Sequence, residues 1–258
     1  MRNIFAIAGK ELRAYFHSPI GYLVLTVYAA LLGFFFYSLV ASYVVQSFRM
    51  MAMGGMGPTM NLNEMVIRPL FDGLLTVVMV LMLMPMITMR LYAEEKKSGT
   101  MELLLTSPLT DLQIILGKFF GAFVFYLMML ALTFLYVGVL FLYGNPNAKP
   151  LLANALGMVL FGGALLALGM WISTFTRNQI IAAVTTSGAF LLLYVLDWTQ
   201  AYSSGTVGRV LSYMSLPRHF ENFAKGVIDL SDLVYYFSVI ALGIFLTARS
   251  VEALKGRP

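Results

Sequence analysis

The chain has 258 residues, of which 60% are hydrophobic and only 11% charged, and its mean hydropathy is +0.83; a water-soluble domain carries about 25% charged residues, so this composition excludes a soluble globular enzyme. The absence of cysteine rules out a disulfide framework, a thiolate metal site and a thiol nucleophile. Lys and Arg number 17 against 12 Asp and Glu, but the cations are spread over connecting segments rather than gathered on one face, which argues for membrane topology and against nucleic acid as a partner.

A bilayer core about 30 Å thick asks for about 20 apolar residues per helix, so the chain has room for five to seven spans and no separate soluble domain. Residues 1–17 are polar enough to lie outside the core. Ile4, Ala8, Leu12 and Tyr15 recur at helical spacing opposite Lys10 and Arg13, the pattern of an amphipathic helix in the membrane interface. Ser18 followed by Pro19 is a helix start, with a side-chain cap and a proline where no amide hydrogen is needed. A first span is expected over 20–45; its apolar run exceeds a signal-peptide core and lacks a small-residue cleavage site, so it is expected to be retained.

Further spans are expected over 69–91, with Pro85 as a kink, and over 112–143, which is longer than the bilayer core and must project from it. Others are expected over 151–175 and 180–198, joined by the tight turn Thr176-Arg177-Asn178-Gln179, and over 233–249. Between the last two, residues 199–232 carry apolar clusters broken by Pro217, which predicts two short helices packed against the membrane face or dipping into it. The glycines at 162, 163 and 169 predict close helix packing. Counting Lys and Arg on alternating sides puts both termini, the loop after the second span and the Arg177 turn in the cytoplasm.

The segment 93–108 gathers much of the charge. Gly99 permits a sharp bend, and Thr100 to Thr106 can form a short helix whose Leu103, Leu104 and Leu105 need a protein surface to cover them. Pro108 behind Ser107 is expected to start the next helix, with Thr110 and Gln113 at capping-box spacing. A short bracketed helix outside the membrane suits docking into the groove of a partner.

The run from Thr88 to Thr110, with its Glu94-Glu95 pair, the Lys96-Lys97-Ser98-Gly99-Thr100-Met101-Glu102 core and the Leu103 to Pro108 tail, resembles the ABC-2 type transporter permeases, and the gliding-motility-associated branch in particular. Residues 18–23, 176–179 and 219–229 add to the likeness, which covers nearly the whole chain. The resemblance implies an all-α subunit of six spans forming one domain over 1–258, in the cytoplasmic membrane of a bacterium. It also implies a second permease subunit, either identical or bearing a large extracytoplasmic domain, and cytoplasmic ATPase subunits that bind the ATP and Mg, so that this chain itself holds no cofactor. The ATPase-coupling contacts it implies are Glu94, Glu95, Lys97, Gly99, Thr100, Glu102 and Leu105, with Lys10 and Glu11 in a bracing N-terminal helix.

Independently of the family, no GxxxxGK[ST] loop occurs: Gly117-Lys118 is followed by Phe119 and lacks the upstream glycine. HExxH and GxSxG are absent too, so no catalytic residue is assigned. Met50, Met51, Met53, Met56, Met60 and Met65 crowd the first loop; thioethers suit reduced copper, but with no His or Cys beside them the reading is a flexible connector and no metal. Asp72, one turn after Arg68, is expected to form a local ion pair with it. The function expected is a permease subunit that exports or extrudes a substrate using a separate ATPase; the alternative is a non-transporting anchor of a motility or envelope complex. An ion-coupled transporter would need charges at mid-membrane and inverted repeats, and neither is evident.

Overall fold

A computed structural model describes residues 2–53, 61–105, 109–196 and 205–255. Among them every regular element is helical and no strand occurs. In a bilayer this is forced, because a helix satisfies its own backbone where no water can.

Helix α1 (Arg2–His17) meets α2 (Pro19–Ala52) at a corner where the Ser18 side chain accepts from the Ile20 amide at 3.3 Å and Pro19 occupies the first turn. The second apolar segment is not one straight helix. A π-turn over Asn63–Ile67 leads into α3 (Arg68–Asp72), Gly73 is extended, and α4 (Leu74–Thr88) and α5 (Arg90–Ser98) follow, separated at Met89 one turn after Pro85. Proline can neither donate to the ladder nor sit comfortably against the preceding turn. Beyond Gly99 comes α6 (Thr100–Leu105), then α7 (Asp111–Tyr143), α8 (Ala148–Ser173) and α9 (Gln179–Val195). Helices α10 (Thr206–Tyr213) and α11 (Leu216–Ala224) precede the last helix, α12 (Leu230–Lys255).

Among the described residues, five stretches are long and apolar enough to cross a membrane: Pro19–Ala52, Asn63–Ser98, Asp111–Tyr143, Ala148–Ser173 and Leu230–Leu254. The remaining expected span, 180–198, corresponds to α9, which has 17 residues; residues 197–204 lie outside the described chain. The third expected span, 112–143, corresponds to α7, which starts at Asp111 and is capped by the Thr110 side chain accepting from the Gln113 amide at 3.3 Å; the helix start expected at Ser107 and Pro108 lies outside the described residues, as do Met56 and Met60.

Helix α8 is the hub. Its apolar window is 67% buried, against 22% for the first and last spans, and α4, α7, α9, α11 and α12 pack around it. Its glycines allow this: a Cβ at Gly162 would meet the Tyr126 ring at 2.1 Å, and Tyr126 donates across that gap to the Met158 carbonyl at 2.7 Å. Tyr28 and Thr133 share a 2.7 Å hydrogen bond between α2 and α7.

At the end of the bundle where α8 begins, buried His219 knots three helices. Its Nδ1 lies 2.7 Å from Asp232 Oδ1 and its Nε2 3.0 Å from the Tyr213 carbonyl, while Asn222 donates to Asp232 Oδ2 at 2.8 Å. A carbonyl only accepts, so Nε2 carries a hydrogen. The ring stacks on Tyr235 with centroids 3.7 Å apart. Arg68 does not pair with Asp72 as expected: its Nη1 reaches Glu64 Oε2 at 3.2 Å. The physical reason is orientation. Glutamate one turn before the cation is the favoured order in a helix, and Asp72 ends α3, where Gly73 breaks the helical register.

Candidate functional site

The expected coupling segment lies at the opposite end of the bundle, where α1, α5 and α7 meet. Along α1, Ile7, Glu11 and Tyr15 recur four residues apart and form its inner ridge; Ile7 and Tyr15 are buried. They face Gly117 and Gly121 of α7, where a Cβ would lie 2.6 Å from Ile7 Cβ and 2.6 Å from Glu11 Cβ respectively. The two glycines form a slot that lets α1 sink against α7 rather than merely float in the interface.

Lys118, between those glycines, points into the same seam with its side chain 1% exposed. Its Nζ lies 2.7 Å from Glu11 Oε1 and 2.8 Å from Glu95 Oε1, and 5.3 Å from the centroid of the Tyr92 ring. One ammonium thus ties α1, α5 and α7 together. A buried charge is tolerable only when so paired, and removing one partner of such a pair costs about 3–5 kcal/mol. Lys10 extends the cluster at 3.8 Å from Glu95 Oε1, on the exposed side.

A second layer flanks the first. Arg90 Nε donates to Glu94 Oε2 at 2.7 Å, and its guanidinium lies over the Tyr15 ring at 5.6 Å. Tyr15 donates to the Ile87 carbonyl at 2.8 Å and stacks on Phe125; burial pushes its phenol well above the usual range, with the nearby Glu11 carboxylate adding to the shift. Lys96 donates to the carbonyl of Thr174, joining α5 to the end of α8. Glu11, Tyr15, Arg90, Glu94, Glu95 and Lys118 line a polar cleft of about 250 Å³ between α1, α5 and α7, with Ser98 and Thr100 also in its lining.

The residues expected to contact a partner therefore divide. Glu95 and Glu11 turn inward to Lys118, each only 12% exposed. Glu94 is half-buried on Arg90. Lys97, Gly99, Thr100, Glu102 and Lys10 are exposed; Gly99, at φ 73°, closes α5 in the left-handed conformation that glycine adopts without strain. Met101 anchors α6 from below, 6% exposed, and the Leu105 side chain lies outside the described part of the structure. Lys118, Arg90 and Tyr15 are the members that the sequence did not assign to the coupling contacts. The available signal was a lone lysine inside a 33-residue apolar helix, a position that calls for a counter-ion.

Comparison with known proteins bears on what this joint serves. A profile described as "ABC-2 family transporter protein" matches residues 70–214, which include α5, α6 and the start of α7. The chain belongs to the ABC-2 transporter family. It is 32% identical over 185 residues to proteins named "Probable multidrug ABC transporter permease YbhS" from Escherichia coli strain K12 and from Escherichia coli O157:H7, the match covering 70% of this chain and 48% of each relative. The chain thus spans about half the length of the curated relatives it matches. As an ABC-2 family member with several long apolar helices, it is a multi-pass membrane protein of a transporter family.

Proposed function

We propose that this chain is the permease subunit of an ATP-driven exporter of the bacterial cytoplasmic membrane, moved by a separate ATPase that docks on the outward face of α5 and α6. The observation that carries the reading is the pairing of one buried ammonium, Lys118, with carboxylates from α1 and α5. Lys97, Gly99, Thr100 and Glu102 form the docking surface, and Leu105 continues it. A push on α6 passes through Glu95 to Lys118 and so to α7, while Glu11 obliges α1 to follow. Because the charges are held out of water, the joint transmits displacement rather than dissolving into solvent.

Helix α9 serves as the fifth of six spans, both termini face the cytoplasm, and ATP and Mg are held by the ATPase alone. The positions of Lys and Arg support that orientation. The likeness of residues 88–110 to the gliding-motility branch supports a second permease subunit, and the word "multidrug" in the relatives' names supports export as the direction of transport.

The test is co-purification from native membranes, comparing wild type with Lys97→Glu plus Glu102→Arg. An ATPase that copurifies with wild type and is lost from the variant, with the variant's melting temperature unchanged, is the expected result. An intact complex without an ATPase would leave the chain as a membrane anchor.

A further inference from the structure

Beyond the coupling joint, at the His219 end of the bundle, the break at Gly73 opens a second polar cavity. It measures about 290 Å³ and is lined by Asp72, Leu74, Val77, Tyr194, Arg218 and Glu221, among others. Helices α3, α4, α9 and α11 each contribute, so the cavity belongs to the tertiary fold and not to one loop.

Its charges are incompletely matched. Glu221 is held by Lys225 at 2.5 Å, and Arg68, the cation nearest to Asp72 in sequence, is held by Glu64. Among the described residues the Asp72 carboxylate takes part in no hydrogen bond and no ion pair within 4 Å. Arg218 donates to the Ser212 hydroxyl but is likewise in no ion pair. One carboxylate and one guanidinium thus line the same half-buried space without neutralising each other. Arg68 and Lys225 act on Asp72 only from beyond ion-pair distance, so both charges keep room for a direct partner, and the complement to both is a ligand that carries an anion and a cation a few ångströms apart.

Directly beside these charges the lining turns apolar. Val77 is buried and Leu74 is 59% exposed; the two lie three residues apart, on one face of α4. The cavity is therefore bounded on one side by a hydrocarbon wall. A charged head with an apolar continuation is a phospholipid. We infer that this pocket seats the head group of a zwitterionic phospholipid, with the phosphate toward Arg218 and a primary ammonium toward Asp72. Arginine is the side chain best suited to phosphate oxygens, and a carboxylate accepts from an N–H, which favours phosphatidylethanolamine over phosphatidylcholine.

The experiment is native mass spectrometry of the full chain released from nanodiscs containing equal amounts of phosphatidylethanolamine, phosphatidylcholine and phosphatidylglycerol. Wild type should retain phosphatidylethanolamine at least fivefold over phosphatidylglycerol. Asp72→Asn should abolish that preference, and Arg218→Gln should lower retention of all three lipids. Equal retention of the three by wild type, or an unchanged preference in Asp72→Asn, overturns the inference. Should Asp72→Asn fail to fold, carbodiimide labelling of Asp72 in the wild-type protein gives the same answer: phosphatidylethanolamine should protect and phosphatidylglycerol should not. Protection by soluble glycerophosphoethanolamine in the absence of any protection by the lipid would overturn the lipid as the source.

Discussion

A Cβ built on Gly117 of α7 would lie 2.6 Å from the Cβ of Ile7 on α1, closer than two saturated carbons can approach without repulsion. The N-terminal helix is therefore fitted to its neighbour by the absence of a methyl group. Gly117→Ala and Gly121→Ala should each destabilise the protein by about 1–3 kcal/mol through overpacking. Gly138→Ala on the same helix, where a Cβ would meet nothing within 4 Å, should be neutral or slightly stabilising. Thermal unfolding in detergent checks all three.

Lys118→Met should be the most damaging single change at the joint, because it leaves Glu11 and Glu95 facing one another across a dry seam; about 3–5 kcal/mol is expected. Combining it with Glu11→Gln and Glu95→Gln should recover most of that loss, since no unpaired buried charge then remains; Lys10, which loses Glu95, is exposed. The readout that separates coupling from folding is ATPase stimulation: the triple variant should fold and bind the ATPase yet fail to stimulate it. Full stimulation by the triple variant would refute the transmission role.

His219→Ala should cost about 3 kcal/mol, because Asp232 loses its closest hydrogen-bond partner and the Tyr213 carbonyl loses its donor. Joined with Lys118→Met, the two losses should add to within about 0.5 kcal/mol, the sites sharing no partner at opposite ends of the bundle. Unfolding of the two single variants and the double variant measures the sum.

Asp229, just before α12, accepts from the Ser231 amide at 2.9 Å, and that backbone hydrogen bond holds its carboxyl below the usual value. A lowered folded pKa contributes stability above the unfolded value of about 3.9, and the contribution is lost as pH falls through the folded value. The difference in melting temperature between wild type and Asp229→Ala should be flat from about pH 5 to pH 8 and shrink below about pH 4.

The spans were legible because 20 apolar residues in a row have few other fates, and the helix starts at Pro19 and Gln179 could be read from Ser18 and from the polar turn that holds Asn178. The break at Gly73 was not, since a glycine inside an apolar run does not interrupt the hydropathy. The Arg68–Asp72 pair failed for a related reason: Glu64 and Asp72 are equally spaced on either side of Arg68, and the favoured Glu-before-cation order together with the broken helix at Gly73 decides between them. At the joint, Glu95, Lys10 and Glu11 could be placed in the right neighbourhood by family likeness. That they converge on Lys118 could not be read, because Glu11 and Lys118 are 107 residues apart and no local spacing records a contact of that range.

The seam between α1 and α7 also sets an order for assembly. The slot at Gly117 and Gly121 and the ammonium of Lys118 are synthesised about a hundred residues after the helix they receive, so during translation α1 emerges with its ridge unmatched and Glu11 still hydrated. Two long apolar segments are made between α1 and α7. Only when α7 is in place does α1 gain a slot to sink into and the Glu11 carboxylate its counter-ion. Helix α1 is therefore locked later than the segments that directly follow it, and a chain halted before residue 118 holds Glu11 without its partner.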